Sequence, residues 1–317
     1  MPHSEELRFR AGDTTLTGTL ILPDEPDGRV PWALLVSSWL PRDRDGGWDR
    51  VAHAAWFAPP PSNAAPGLFA RLAQALASRG VASLRYDPRG CGESGGAWEE
   101  VDLFTRVDDA RDAIGAMRSR RELDLRRTAI VGHGEGAVIA LSVAIGDPAI
   151  GAVGLIGAGA RSARDVLRRG VAQRSRTGVD REHPIVAAVD RAAEELVERA
   201  ERREPAMQLI VAGEPVALRL AGWEQAIHTP GLALATMLHR NVVIAHGTAD
   251  AWADPDESFL LASVLPDAVQ LDVAGAGHGL EEASDARIGE LADALAARME
   301  QRELPPVLLA IEEMGGG

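Results

Sequence analysis

Short apolar runs alternate along the chain with longer stretches whose apolar residues recur at helical spacing. Two amphipathic stretches, at residues 68–80 and 107–120, predict helices. The short apolar runs predict strands at 15–23, 32–38, 81–87, 128–133, 152–158, 241–247 and 268–275. Strands that alternate with helices favour an α/β fold, with a mostly parallel sheet of about eight strands and helices on both faces.

The alternation stops between residues 160 and 238. This stretch is rich in arginine and glutamate, shows helical patterns and contains no convincing strand. We therefore expect a core domain made of residues 1–159 and 239–310, with a helical cap inserted at 160–238. The glycine-rich end of the chain, 311–317, is expected to be disordered.

Composition excludes several classes of function. The net charge of −14 disfavours binding to nucleic acid or to anionic membranes. Cys91 is the single cysteine, so no intrachain disulfide can form, which is typical of a reducing compartment. The first ten residues contain no apolar stretch and no run of about 18 apolar residues follows, so we expect a cytoplasmic protein without a membrane span. The oligomeric state is not indicated.

The stretch "AIVGHGEGAV" at 129–138 reads as a strand, a sharp glycine-rich turn and a helix. As a phosphate-binding turn, Gly132, Gly134 and Ala137 would match G-x-G-x-x-G/A, but the next strand ends in "LIGAGA" without the carboxylate that a dinucleotide site needs. As a purely structural feature, the glycines would allow a helix to pack tightly on a strand.

A third interpretation is the nucleophile elbow, in which a serine stands at the apex of G-x-S-x-G. Two further motifs lie in the order that such enzymes require. "VVIAHGTAD" is a strand followed by a turn that presents Asp250, and "LDVAGAGHGL" is a strand followed by a loop that presents His278. The apex residue of the turn is Gly134, so this elbow has no nucleophile.

Three separated motifs carry a resemblance to a known group. "SSWLPRDRDG" (37–46), "RYDPRGCGESGG" (85–96) and "GHGEGA" (132–137) resemble "SGSGPQDRDG", "RYDDRG" and "GHSEGG" of the bacterial dienelactone-hydrolase-type esterases, in the α/β-hydrolase superfamily. The resemblance covers residues 12–300 or so. It implies the α/β-hydrolase fold, with His278 as the base and Asp250 as the acid that orients it.

Other residues could take part in such a site. Asp254 and Asp256 are the alternative acids. Glu135 and Cys91 are alternative catalysts to a serine, but the related esterases carry a glutamate beside their serine, and Cys91 falls in a turn of the family. The resemblance instead places Glu135 and His133 in the pocket, with the backbone N–H of Glu135 in the oxyanion hole.

The sequence departs from the esterase pattern at two places. Gly134 has no hydroxyl, so no acyl-enzyme can form at the usual atom. In the early loop, glycines that let backbone N–H groups face the oxyanion are replaced around Trp39 by Ser38 and Leu40. Both changes fit an enzyme that no longer transfers an acyl group to serine.

The remaining groups predict a lyase. A histidine–aspartate base that faces an oxyanion site can remove a proton α to a carbonyl, after which a β-acyloxy group leaves as a carboxylic acid such as acetate. Some α/β-hydrolase-like proteins of polyketide tetronate pathways eliminate acetate in this way, and the comparison with them concerns function only. The expected partner is a small hydrophobic acylated substrate of secondary metabolism.

Three alternatives stay open. The chain could be a serine esterase inactivated by a Ser→Gly change at 134, a hydrolase in which His278 activates water directly, or a non-catalytic binding protein on a hydrolase scaffold. No cofactor or metal is expected. The acidic stretches at 43–46 and 254–258 match no complete Ca²⁺ loop and are better read as solvated turns.

Overall fold

The computed structural model describes residues 2–24, 28–37, 42–47, 67–174, 184–211 and 214–300, with an eight-stranded sheet at its centre. The described strands are β1 (His3–Ala11), β2 (Thr14–Leu22), β3 (Val30–Val36), β4 (Ala82–Tyr86), β5 (Leu123–His133), β6 (Ile150–Ile156), β7 (Ala206–Val211), β8 (Glu214–Arg219), β9 (Asn241–Gly247) and β10 (Val269–Val273). The strands of the central sheet lie in the order β1-β2-β4-β3-β5-β6-β9-β10.

The sheet is parallel from β4 to β10 and antiparallel only at the β1–β2–β4 edge. All seven predicted strands are present, so the prediction of a mostly parallel sheet of about eight strands is confirmed. The eighth strand, β1, was not predicted. It pairs with β2 through a hairpin in which Gly12 adopts φ +55°, a backbone conformation that glycine reaches without strain.

Helices cover both faces of the sheet, as predicted. The described helices are α1 (Leu68–Ala77), α2 (Leu103–Met117), α3 (Gly136–Gly146), α4 (Ala163–Arg174), α5 (Pro184–Glu201), α6 (Ala221–His228), α7 (Gly231–Ala235), α8 (Asp256–Val264) and α9 (Asp285–Glu300), with a 3₁₀ turn at Trp98–Glu100. Alternate residues of β3 point to opposite faces: Leu34 packs in the core with α2 and α3, and Leu35 packs in the core with α1 and α9.

The segment 160–238 is not wholly helical, which corrects the expectation that it contains no strand. It holds α4 to α7, but β7 and β8 form an antiparallel hairpin between α5 and α6. Met207 and Leu218, which are register partners, are both buried. The sequence does not show the hairpin because it follows a highly charged helix, α5, and β8 itself begins with Glu214 and ends with Arg219. The division into core and cap remains a prediction, and the expected tail at 311–317 lies outside the described residues.

The start of α2 shows how the chain fixes an element near the site. The side chain of Asp102 caps the helix by accepting a hydrogen bond from the backbone N–H of Thr105, at 2.7 Å. Gln225 on α6 contacts the same end of α2, donating to Asp102 and accepting from the N–H of Phe104. The segment 160–238 therefore contacts the core at the first turn of α2.

No helix among the described residues is long and apolar enough to cross a membrane.

Candidate active site

The turn between β5 and α3 has the sharp geometry that the sequence predicts. β5 ends at His133 and α3 begins at Gly136. Gly134, at the apex, adopts φ +58°, and its N–H donates to the carbonyl oxygen of Ile156 at 2.8 Å. A residue with a Cβ is disfavoured in this left-handed region, so glycine occupies the apex without strain.

Two neighbouring glycines allow the turn to be tight. A Cβ on Gly132 would lie 2.1 Å from the carbonyl oxygen of Gly136, and a Cβ on Gly136 would lie 2.3 Å from that of Val36. Both separations are far below van der Waals contact, so larger residues would force β5, α3 and β3 apart. The structural role expected of Gly132 and Gly136 is therefore present.

Asp250 lies in the turn after β9 and is completely buried. Its Oδ1 accepts the backbone N–H groups of Trp252 and Ala253, at 2.8 and 3.0 Å, and its Oδ2 lies 2.8 Å from Nδ1 of His278. Burial alone raises the pKa of this carboxyl, but neighbouring imidazoles and hydrogen bonds outweigh burial and hold the pKa well below its usual range. Asp250 is therefore ionised at neutral pH.

His278 lies in the loop after β10, in the hydrogen bond with Asp250 that the sequence predicts. Because an ionised carboxylate only accepts, His278 Nδ1 carries the proton and Nε2 keeps a free electron pair. The side chain is 17 % exposed. A Cβ on Gly157, at the end of β6, would lie 3.1 Å from His278 Nδ1, so the glycine makes room for the ring.

His133 connects the turn to the loop that carries His278. It is buried, and its Nε2 lies 2.9 Å from the carbonyl oxygen of His278, so this nitrogen donates. The centroids of the two imidazole rings are 4.7 Å apart. Burial, followed by the neighbouring His278 and Arg42, lowers the pKa of His133 well below its usual value, and His133 is therefore neutral.

Glu135 follows the apex and precedes the first residue of α3. Burial raises the pKa of its carboxyl to about 7, against the opposing effect of Arg106, whose Nη1 lies 3.9 Å away. Within the described residues, Oε2 of Glu135 has no hydrogen-bond partner. Its backbone N–H stands at the start of α3, where helix N–H groups lack intrahelical acceptors and the helix dipole favours negative charge.

Ser38, Trp39 and Leu40, the expected residues of the early loop, lie outside the described residues. The preceding residue, Ser37, is buried, and its carbonyl oxygen would be 2.7 Å from a Cβ on Gly136. The early loop thus leaves the sheet beside the first residue of α3.

The other candidates do not join this cluster. Asp254 and Asp256 both pair with Arg169 on α4, at 3.0 and 3.5 Å, and make no described contact with His278. Cys91 is buried in its turn. Asp43 caps its own turn by accepting the N–H groups of Asp45 and Gly47. Among the residues that the structure describes, no group of three or more histidines, cysteines or carboxylates could hold a metal ion.

Three residues at the site were missed by sequence reasoning: His246, Gly157 and Arg106. His246 is the histidine of the "AHGTAD" motif, and its Nε2 lies 3.1 Å from Oδ2 of Asp250. Its place four residues before Asp250 was the available signal. The glycine that ends "AVGLIG" could have indicated Gly157, whereas nothing in the sequence indicated the contact between Arg106 and Glu135.

Comparison with known sequences gives a match to part of the chain. Residues 63–176 match the family model described as "Serine aminopeptidase, S33". An acyltransferase of Aspergillus calidoustus, drtE, is 33% identical over 121 residues, which are 36% of this chain and 39% of that protein. The aligned region therefore spans well under half of either protein.

Comparison with solved structures covers nearly the whole chain. Est1E of Butyrivibrio proteoclasticus with bound ferulic acid matches with a TM-score of 0.64 and 14% identity, over 93% of this chain and 98% of that one. The esterase domain of a Rhodothermus marinus protein matches with a TM-score of 0.59 and 16% identity, over 93% of this chain and 97% of that one. The α/β hydrolase GrgF of Penicillium sp. sh18 matches with a TM-score of 0.61 and 15% identity, over 94% of this chain and 99% of that one.

At these identities the structural matches establish the fold. The family match includes the elbow, and the strand order and both loops agree with the expected arrangement. The chain therefore has the α/β-hydrolase fold, and the part of it at residues 63–176 is similar to the S33 family.

Proposed function

We propose that the chain is a lyase that uses His278 and Asp250 to eliminate a carboxylic acid from a small acylated substrate. One observation carries the proposal: a hydrogen-bonded histidine–aspartate pair accompanies a turn whose apex, Gly134, has no hydroxyl. Acyl transfer to an elbow serine is impossible at this apex, whereas proton abstraction needs only the base.

The base is His278 Nε2. Ionised Asp250 fixes the tautomer, because its Oδ2 takes the proton on Nδ1 and leaves the electron pair on Nε2. The same carboxylate stabilises the imidazolium that forms when Nε2 accepts a proton. Neutral His133 adds no positive charge beside the ring, which favours that protonation.

The developing enolate needs a hydrogen-bond donor. We assign this role to the backbone N–H of Glu135 at the start of α3, where the helix dipole also favours negative charge. Gly134 leaves space at the apex, which we propose the substrate carbonyl and its α-carbon occupy. In the same proposal His133, Ser38, Trp39 and Leu40 line the pocket.

The reaction balances without water or a cofactor. His278 Nε2 takes the proton from the carbon α to the carbonyl, and the electron pair forms the enolate. Collapse of the enolate forms the α,β double bond and breaks the β-carbon–oxygen bond, so that the acyloxy group leaves as a carboxylate. The proton on His278 then passes to that carboxylate, and the products are an α,β-unsaturated carbonyl compound and a carboxylic acid.

A second candidate is ester hydrolysis, which the likeness to esterase structures favours. It has two forms: His278 could activate water directly, or Gly134 could be a substitution in an enzyme that once carried serine. The name of the partly matching acyltransferase adds acyl transfer to another acceptor as a related possibility. A non-catalytic binding role is the remaining alternative, against which the intact histidine–aspartate pair speaks.

Turnover in H₂¹⁸O separates these reactions. The substrate is a β-acetoxy ketone or thioester, and the products are acetate and either an alkene or an alcohol. Elimination yields the unsaturated product and acetate free of ¹⁸O, because the acetate keeps both of its original oxygens. Hydrolysis at the acyl carbon yields the β-hydroxy product and acetate that carries ¹⁸O.

The elimination proposal is wrong if labelled acetate and the β-hydroxy compound accumulate together. It is also wrong if a serine-directed phosphonate forms a covalent adduct with the chain. A panel of β-acetoxy, β-propionoxy and β-benzoyloxy ketones is tested because the acyl group that the site accepts is not known. Binding of the panel without turnover would favour the non-catalytic role.

A further inference from the structure

Asp250 contacts two histidines through a single oxygen. Its Oδ2 lies 2.8 Å from Nδ1 of His278 and 3.1 Å from Nε2 of His246. His246 and Asp250 are almost completely buried, with relative side-chain exposures of 1 % and 0 %. The charge on Oδ2 is therefore divided between two imidazoles in a site that excludes most water.

The tautomer of His246 follows from its neighbours. Its Nε2 also lies 3.2 Å from the carbonyl oxygen of Ala253. Both neighbouring oxygens only accept, so Nε2 carries a proton that the two oxygens share. On the opposite side of the ring, Nδ1 is buried and has no hydrogen-bond partner within the described residues.

The charged groups near His246 are acidic, apart from Arg161 and Arg169, which both pair with Glu257. Asp250 precedes α8, Glu257 lies on α8, and Asp272 is the register partner of His246 on the adjacent strand β10. Burial alone lowers the pKa of His246, but the hydrogen bond and charge of Asp250, with Glu257 behind it, outweigh burial and raise the pKa. Whether His246 is neutral or charged, it withdraws negative charge from the oxygen that His278 uses.

We propose that His246 is a positioning residue that holds Asp250 in place and limits how strongly His278 binds a proton. Resting on the proposed function, the inference is that His246 sets the pH above which Nε2 of His278 is free to act as the base. A neutral donor on Oδ2 weakens its attraction for the His278 proton, and a charged imidazole repels that proton. Both effects have the same sign, so removal of His246 must raise the pH at which His278 deprotonates.

The test follows the protonation of the His278 side chain rather than the rate of turnover. The titration midpoint of its Cε1–H resonance is followed by NMR, with the resonance assigned by its loss in His278→Ala. His246→Leu removes the donor, and His246→Asn is too short to place its amide at the position of Nε2. His246→Gln keeps a neutral N–H near that position and is the conservative variant.

We expect the midpoint of His278 to rise by about one pH unit in His246→Leu and His246→Asn. The rise in His246→Gln should be less than half as large. The acid limb of the pH–rate profile should move in the same direction wherever activity can be measured. His239→Gln, an exposed histidine in the loop before β9, is the matched control and should leave the midpoint unchanged.

An unchanged or lower midpoint in a folded Leu or Asn variant overturns the inference. A purely structural role for His246 predicts that result, because it would lower stability without moving the titration of His278. Should the Leu variant fail to fold, the Asn variant gives the same reading. Since no substrate is involved, failure of the elimination reaction is seen separately from failure of this inference.

Discussion

The two sides of the candidate site resemble a serine hydrolase in different ways. On the base side, the side-chain chemistry is intact, with Asp250 bound by two backbone N–H groups and in contact with two histidines. On the elbow side, the backbone geometry is intact, but the apex side chain is missing at Gly134. The difference arises because close packing of Gly132 and Gly136 and the backbone hydrogen bond of Gly134 fix the turn without any apex side chain.

The base and the turn have different requirements. A histidine–aspartate base depends on the identity of each side chain, so loss of either one removes it. A sharp strand-to-helix turn depends on the space between backbones and continues to form after the apex residue changes. Substitutions on the base side should therefore affect rate most strongly, and substitutions on the elbow side should affect stability and selectivity.

The largest effect is expected on the base side, from His278→Gln. Elimination should slow by a factor on the order of 10³, because glutamine offers no group that accepts a proton near neutral pH. Initial rates of unsaturated product formation measure the loss, and the thermal midpoint of unfolding checks the fold. His239→Gln should keep the rate of the unchanged chain. A His278→Gln variant with near-normal turnover would show that another residue is the base.

Asp250→Asn tests whether the acid sets the tautomer of the base. The Asn amide can donate to Nδ1 of His278, which would move the proton to Nε2 and block it, so we expect a loss of about 10²- to 10⁴-fold. The matched control is Asp254→Asn, because Asp254 lies nearby but pairs with Arg169. If Asp254→Asn slows the reaction more than Asp250→Asn, the assignment of the acid is wrong.

On the elbow side, Glu135→Gln should change how stability depends on pH. The pKa of Glu135 is raised from 4.5 to about 7 in the folded chain, so ionisation of this carboxyl opposes folding. Above pH 7 the variant should be more stable by up to about 3 kcal/mol, and the gain should vanish as the pH falls to about 4.5.

Urea unfolding of Glu135→Gln at several pH values measures this difference. Glu290→Gln, a half-exposed glutamate on α9, provides the control and should show no such trend. A gain that grows as the pH falls would have the wrong sign and would show that the Glu135 carboxylate is stabilised in the folded chain.

The smallest effect is expected at the apex. Gly134→Ala and Gly134→Ser place a Cβ at φ +58°, so each should lower the free energy of unfolding by about 1 kcal/mol. Both should also slow elimination by filling substrate space. Only the serine variant carries a hydroxyl, so slight hydrolysis of p-nitrophenyl acetate should appear in it alone. A serine variant that becomes an efficient esterase without losing another activity would identify Gly134 as a lesion in a hydrolase.

Local patterns predicted most of the fold. Each predicted strand is a short apolar run with clear boundaries. The order of the elbow, Asp250 and His278 along the chain predicted the hydrogen bond that the structure shows between Asp250 and His278. The misses had physical causes. β1 has exposed positions along most of its length, which removes the apolar signal, and the β7–β8 hairpin follows a highly charged helix and has charged residues at both ends of β8.

Contacts between distant parts of the chain were not predictable in the same way. Gly157 makes room for His278, and Arg106 faces Glu135, because the fold brings separate elements together. His246 lies in the motif that presents Asp250, but the apolar pattern of that motif indicates only that His246 is a residue of a strand. Its approach to Asp250 depends on how the following turn folds back.

The positive φ at Gly134 has an evolutionary consequence. Some serine and glycine codons differ by one base, so the apex can change in a single mutational step in either direction. The step toward glycine relieves a left-handed backbone conformation, and the step back restores that strain, at about 1 kcal/mol. Once a lineage no longer needs the hydroxyl, selection for stability alone retains the glycine, and recovery of the nucleophile must overcome that bias.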